Sequence, residues 1–222
     1  MDNKCSNINN TAFQSRIVFL SPRGFGKILS KKNKNLTNIC NYDIIEDKKN
    51  WYNCYKTNVG KGYTSGVKTC TAGISVNKGK KASLFWHAEN TLDNLKNFPI
   101  LGDLIKGTNI ILVGSKKGYK YSYEFFNQFI NQAKGKNIPT TIFKGTKSSE
   151  ADILYESKKD TLYICLKDIF KRDCYVSSME DLKKACDIVE ISPTDSIEFY
   201  DFLPKETMSQ RLKNLYSRAF NL

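Results

Sequence analysis

Histidine is almost missing from this chain. His87 is the only one among 222 residues. Zinc sites draw on paired Cys and His ligands at short spacings, and the seven cysteines contain no CxxC, so a zinc centre is not expected. The odd cysteine count and the lack of a secretory apolar core argue against a disulfide scaffold exported by the general pathway. Long hydrophobic runs are also missing. The longest apolar stretches fall far short of the roughly 20 residues of a membrane helix, so no membrane span is expected. Two glycine-containing stretches, Arg23-Gly24-Phe25-Gly26-Lys27 and Gly114-Ser115-Lys116-Lys117-Gly118, lack the spacing of a phosphate-binding loop and read as turns. Standard RNA- or DNA-binding signatures are missing, and basic residues do not cluster with aromatics in one segment, so no nucleic-acid partner is expected. There is no internal repeat.

What the chain does have is core-forming material and positive charge. Hydrophobic residues make up 40% and aromatics 12%, enough for a folded body. The net charge is +13, carried mostly by lysines dispersed along the whole length. Such a distribution is first a solvated surface, and it speeds encounter with acidic partners by long-range steering. The length suits one α/β domain with a terminal extension. Residues 1–14 are Asn- and Ser-rich and read as a flexible segment, leaving 15–222 as a single domain. A C-terminal helical extension is expected over 177–222.

Strands are predicted at Arg16–Leu20, Asn109–Val113, Ile138–Phe143, Thr161–Leu166 and Ile197–Phe202. The Lys/Asn-rich stretch from Gly24 to Asn50 reads as irregular. The clearest helix is Tyr121–Lys134, with Ser122 as its N-cap and Phe126, Phe129, Ile130 and Ala133 as its apolar stripe. Ser178 caps a second helix, whose inward face would carry Leu182, Ala185, Cys186 and Val189. Met208, Leu212, Leu215, Tyr216 and Ala219 mark a terminal helix. The expected fold class is α/β (α+β): a layered sandwich with a central, mainly antiparallel sheet and flanking helices.

Chemistry is concentrated in one hairpin. Cys70–Val76 alternates, Asn77-Lys78-Gly79-Lys80 is turn chemistry, and Lys81–His87 is the returning strand. With Lys78-Gly79 as a two-residue loop, Asn77 faces Lys80 and Cys70 faces His87. Directly opposed residues have Cβ atoms roughly 4.5–5.5 Å apart, close enough for an imidazole to take a thiol proton. Two readings stand side by side at this point. Cys70 is a buried small hydrophobe beside a structural histidine, or the two form a nucleophile–base pair.

The stretch Ser65-Gly66-Val67-Lys68-Thr69-Cys70-Thr71, followed by Ile74, Lys78-Gly79 and Phe85-Trp86-His87-Ala88-Glu89-Asn90-Thr91, resembles the catalytic hairpin of the glutamine deamidase superfamily. That superfamily joins the chemoreceptor deamidase CheD with the catalytic domain of the cytotoxic necrotizing factor toxins. In both a Cys opens one strand, a short basic turn follows, and a His closes the next strand. The 17-residue spacing from Cys70 to His87 is similar to that of the chemoreceptor enzymes. Thr64, six residues before Cys70, stands where those enzymes carry a third catalytic residue, whereas the toxin branch uses a backbone carbonyl. The resemblance spans about residues 60–170. Lys68-Thr69 departs from the glycine and small residue that usually precede the cysteine, and Ala88-Glu89 departs from the family after the histidine.

The resemblance implies a protein-glutamine deamidase working through a thioester, with Cys70 as nucleophile, His87 as base and Thr64 orienting the imidazole. Backbone N–H groups at Cys70 and a neighbouring loop would hold the oxyanion. No cofactor or metal is implied. The implied partner is a folded protein, such as an acidic host signalling protein of the small-GTPase kind or a translation factor, and the enzyme is expected to be a monomer. It would be cytoplasmic in the producing cell, or delivered into a host cell by a specialised secretion system as an effector or toxin. The rival classes are a cysteine protease or transglutaminase on the same dyad, and a non-catalytic basic binding protein.

Overall fold

The computed structural model describes residues 15–31, 36–38, 53–57, 61–77, 82–88, 105, 107–114, 120–145, 149–168 and 175–200. The strands are β1 (Ser15–Leu20), β2 (Leu36–Asn38), β3 (Asn53–Thr57), β4 (Lys61–Val67), β5 (Thr71–Asn77) and β6 (Ala82–Ala88). After them come β7 (Asn109–Gly114), β8 (Thr140–Gly145), β9 (Ser149–Glu156), β10 (Thr161–Asp168), β11 (Cys186–Glu190) and β12 (Asp195–Tyr200). Three α-helices, α1 (Pro22–Lys31), α2 (Lys120–Gly135) and α3 (Met179–Ala185), and a 3₁₀ turn at Ser157–Lys159 complete the described elements.

The strands form two six-stranded sheets. The first runs β12-β1-β10-β9-β4-β2 and the second β11-β8-β7-β5-β6-β3. In the second, only the β7–β8 pair is parallel, so the hairpin lies in a mainly antiparallel sheet. The expected α+β sandwich is therefore present, with its strands shared between two facing sheets.

Strand alternation explains the layering. One side of each sheet supplies the inter-sheet core: Ile17, Phe19, Ile153 and Tyr155 from the first, Ile74, Phe85, Ile111 and Phe143 from the second. Phe19 meets Phe143 edge-on with centroids 5.4 Å apart, so aromatic contact ties the sheets together. The outer side of the second sheet, with Trp86, Ile110, Leu112 and Ile142, is covered by Phe125, Phe126, Phe129 and Ala133 of α2. Val18, Leu20, Leu154 and Cys165 on the outer side of the first sheet receive Phe25 of α1. The order is helix, sheet, sheet, helix. A strand such as β7 is buried along its whole length because both its faces are covered, which is why Asn109–Val113 reads as a continuous apolar run.

Several local readings are corrected. Residues Pro22–Lys31 are helical and Leu36–Asn38 form a strand, where the stretch from Gly24 reads as irregular in the sequence. Pro22 sits at the first helical position, and the Ser21 hydroxyl accepts the Gly24 N–H at 3.1 Å, a cap that offsets part of the cost of two helical glycines while Phe25 enters the core. Helix α2 begins at Lys120, so Ser122 is inside it and is not its N-cap. Helix α3 does start at Ser178, whose side chain accepts from the Asp181 N–H, but Cys186 is already extended. Ile188 and Val189 are β-branched and join β11, paired with β8. Val189 is exposed, so it does not lie on an inward helix face. The N-terminal segment 1–14 and the predicted terminal helix beyond Met208 lie outside the described residues. Among the described residues no helix is long and apolar enough to cross a membrane.

Candidate active site

Thr64 and His87 come from opposite sheets. Thr64 is fully buried on β4 of the first sheet. On β6 the even residues Leu84, Trp86 and Ala88 belong to the layer under α2, and Phe85 belongs to the inter-sheet core. Alternation then turns His87 toward the first sheet. Thr64 Oγ1 and His87 Nδ1 lie 2.6 Å apart, a short hydrogen bond across the sandwich. Thr64 is thus brought to the imidazole, as expected for an orienting residue.

The other ring nitrogen is in a different situation. His87 Nε2 is buried and has no hydrogen-bond partner. Burial lowers the His87 pKa from its ordinary 6.5 to about 4, because a charged imidazole there would lose its hydration. The ring is therefore neutral at physiological pH. With the proton on Nδ1, that N–H donates to Thr64 and Nε2 presents a lone pair. This is the tautomer a general base needs.

Cys70 is placed differently from the two-residue-loop expectation. Asn77 pairs with Ala82, so residues 78–81 form the connection and Ala72, not Cys70, faces His87. A loop two residues longer shifts the register by one same-face step. Cys70 stands just before β5, two residues upstream of Ala72, on the link from the first sheet to the second. Diagonal neighbours on an antiparallel pair are roughly 7–8 Å apart. Cys70 is half-buried, and its thiol is not bonded to Nε2.

Two features missed at the level of sequence hold this link. Ser122, in the first turns of α2, donates its hydroxyl to the Thr69 carbonyl at 2.9 Å. Gly114, at the end of β7, has φ 137°, and a Cβ there would lie 2.2 Å from the Cys70 carbonyl oxygen. No other residue fits, so the glycine lets β7 close onto the cysteine backbone. Ser122 looks like a helix cap in the sequence. Its actual partner is 53 residues away, and no local pattern signals it.

The remaining described thiols contrast with Cys70. Cys165 and Cys186 are fully buried, and burial pushes each thiol up to about 12. Neither is a nucleophile near neutral pH. Among the described residues no cluster of His, Cys, Asp or Glu could hold a metal ion. A cavity between the sheets is lined by Val67, Lys68, Gly114, Phe143, Ser149 and Leu166, among others, but not by Thr64, Cys70 or His87. No protein-family model and no curated sequence matches the chain.

Proposed function

We propose that the protein is a protein-glutamine deamidase that works through a Cys70 thioester. The observation that carries this reading is the Thr64–His87 hydrogen bond, which leaves a buried, neutral, unpartnered Nε2 at the end of the strand beside the Cys70 link. A structural histidine in a core normally has both nitrogens satisfied. Cys70 at a strand start also suits this reading better than a protease, whose nucleophile typically opens a helix.

The chemistry follows from the roles. His87 Nε2 takes the Cys70 thiol proton, and the sulfur forms a bond to the carboxamide carbon. Electron density moves onto the carbonyl oxygen, where backbone N–H groups at the Cys70 turn would meet it. The tetrahedral adduct collapses as the C–N bond breaks and His87 returns the proton to departing ammonia. Water, deprotonated by Nε2, attacks the thioester carbon. The C–S bond then breaks, the proton passes back to sulfur, and a glutamate side chain leaves. Throughout, Thr64 keeps the ring from rotating. The substrate is a Gln side chain on a folded protein, and the +13 surface favours an acidic one through faster encounter. Delivery into a recipient cell as an effector belongs to the same reading.

Mass spectrometry of candidate proteins incubated with wild type or Cys70→Ala tests it. Gln-to-Glu conversion only with wild type is expected, accompanied by ammonia release with peptide bonds intact. Cleaved peptide bonds, or amine incorporation in place of hydrolysis, would assign the dyad to a protease or a transglutaminase instead.

A further inference from the structure

The path from Thr64 to Cys70 contains an irregularity. On β4, Thr64 pairs with Ile153 and Val67 with Ala151, so three steps on β4 match two on β9. One residue is extra, which defines a β-bulge at Ser65-Gly66. In an unbroken strand Thr64 and Val67 would point to opposite faces. With the bulge both are buried, at 0% and 2% exposure, and Val67 belongs to the same inter-sheet core that His87 faces. Gly66 makes this possible with φ 68°, in open space where a methyl group would touch nothing. Its requirement is conformational and not one of room.

Asp152, the β9 residue between the two paired positions, closes the bulge. Its Oδ1 accepts the Gly66 N–H at 3.2 Å, and its Oδ2 is held by the Lys167 ammonium. Lys167 in turn lies on β10, where Cys165 pairs with Asp152. We propose that Asp152 is a positioning residue: by fixing the Gly66 bulge it keeps Thr64 on His87 Nδ1 while the following link carries Cys70 across to the second sheet. The geometric link from Asp152 to His87 stands on its own, and only its consequence for turnover rests on the deamidase reading.

The chain's single histidine makes the test direct, because every imidazole NMR signal belongs to His87. In the full chain, Asp152→Ala is expected to move the His87 titration upward toward its ordinary value and to broaden the Nδ1 signal. It should also change the rate of Cys70 alkylation at least threefold. Asp152→Asn, which keeps an oxygen acceptor for the Gly66 N–H, is expected to stay within twofold of wild type in alkylation and to retain its titration. Gly66→Ala loosens the same bulge from the other side and is expected to reproduce Asp152→Ala, which covers the case of Asp152→Ala failing to fold. A folded Asp152→Ala or Gly66→Ala with wild-type titration and alkylation would overturn the assignment, as would an Asp152→Asn that behaves like the alanine variant. Since the readout needs no substrate, an inactive wild type with the expected shifts would count against the deamidase reading alone.

Discussion

The two ends of the sandwich treat their buried titratable groups in opposite ways. At the end where β7 and β12 begin, Asp195 accepts from the Asn109 amide at 2.7 Å and from the Thr141 hydroxyl at 2.6 Å. The Ser192 N–H adds a bond to Thr141. Beside it, Asp160 accepts from Ser15 and Tyr155, each at 2.8 Å. Both carboxylates have both oxygens occupied, and the Asp195 bonds stitch one sheet to the other. At the end where β4 gives way to β5, a bond between Thr64 and His87 spans the sheets, and one imidazole nitrogen is left open. Paired carboxylates lock the first end, although Asn109 Oδ1 there has no partner. A titratable nitrogen left open retains capacity for a reaction, at the cost of an uncompensated buried group.

The sharpest way to break this comparison is to remove groups from each end in turn. His87→Ala is expected to lower deamidation by about 10²–10⁴-fold, the range for a positioned acid–base group, with a stability loss of about 1 kcal/mol from the lost Thr64 bond. Asp195→Ala should do the reverse, lowering unfolding free energy by about 1–3 kcal/mol as Asn109 and Thr141 lose their partner, while turnover at saturating substrate holds. Urea denaturation and initial rates on both variants separate the effects. Turnover lost in both would erase the distinction between the ends.

Acid titration should expose the open end next. The unfolded imidazole titrates near 6.5 and the buried one near 4, so between these values the unfolded chain binds the extra proton. His87 therefore imposes no such penalty above about pH 6.5. Stability falls as pH drops through that window and levels off below about 4, by on the order of 3 kcal/mol in total. In His87→Gln this part of the pH dependence should vanish, which chemical denaturation across pH 4–7 would show. A smaller effect is expected from Thr64→Val. Loss of the hydroxyl leaves Nδ1 without its Thr64 partner, and stability should fall by about 1 kcal/mol with a roughly tenfold lower turnover. The smallest perturbation concerns the thiols. Iodoacetamide at neutral pH should label Cys70 well before Cys165 or Cys186, and equal labelling of the three would remove the case for a special cysteine.

Legibility in the sequence followed the range of the interactions involved. Cys70 and His87 stand out by their places in the hairpin and Thr64 only through the family resemblance, and the structure brings Thr64 onto the imidazole. The direct facing of Cys70 and His87 was not obtained, because Lys-Gly signals a turn without stating its length, and a four-residue connection moves the register. The Phe126, Phe129, Ile130 and Ala133 stripe was readable because helical periodicity is local, and all four are buried as expected. Helix α1 was obscured by Gly24 and Gly26, although Ser21-Pro22 is a start signal and Phe25 has a core to enter. The division of strands between two sheets, the Ser122–Thr69 bond and the Asp152–Gly66 bond depend on residues far apart in the chain, and no periodicity encodes them.

Helix α2 has hold of both halves of the pair. Its early turn binds the carbonyl preceding Cys70 through Ser122. Further along, Phe129 stacks on Trp86, the neighbour of His87, at 4.6 Å between centroids, with the indole seated over Gly73, where a Cβ would lie 2.1 Å from it. Mechanically, one rigid rod serves as a shared jig for two parts. A shift of α2 on the sheet bears on the segments of Cys70 and His87 together, because the same element contacts both, whereas side-chain torsions relax far faster than any helix moves.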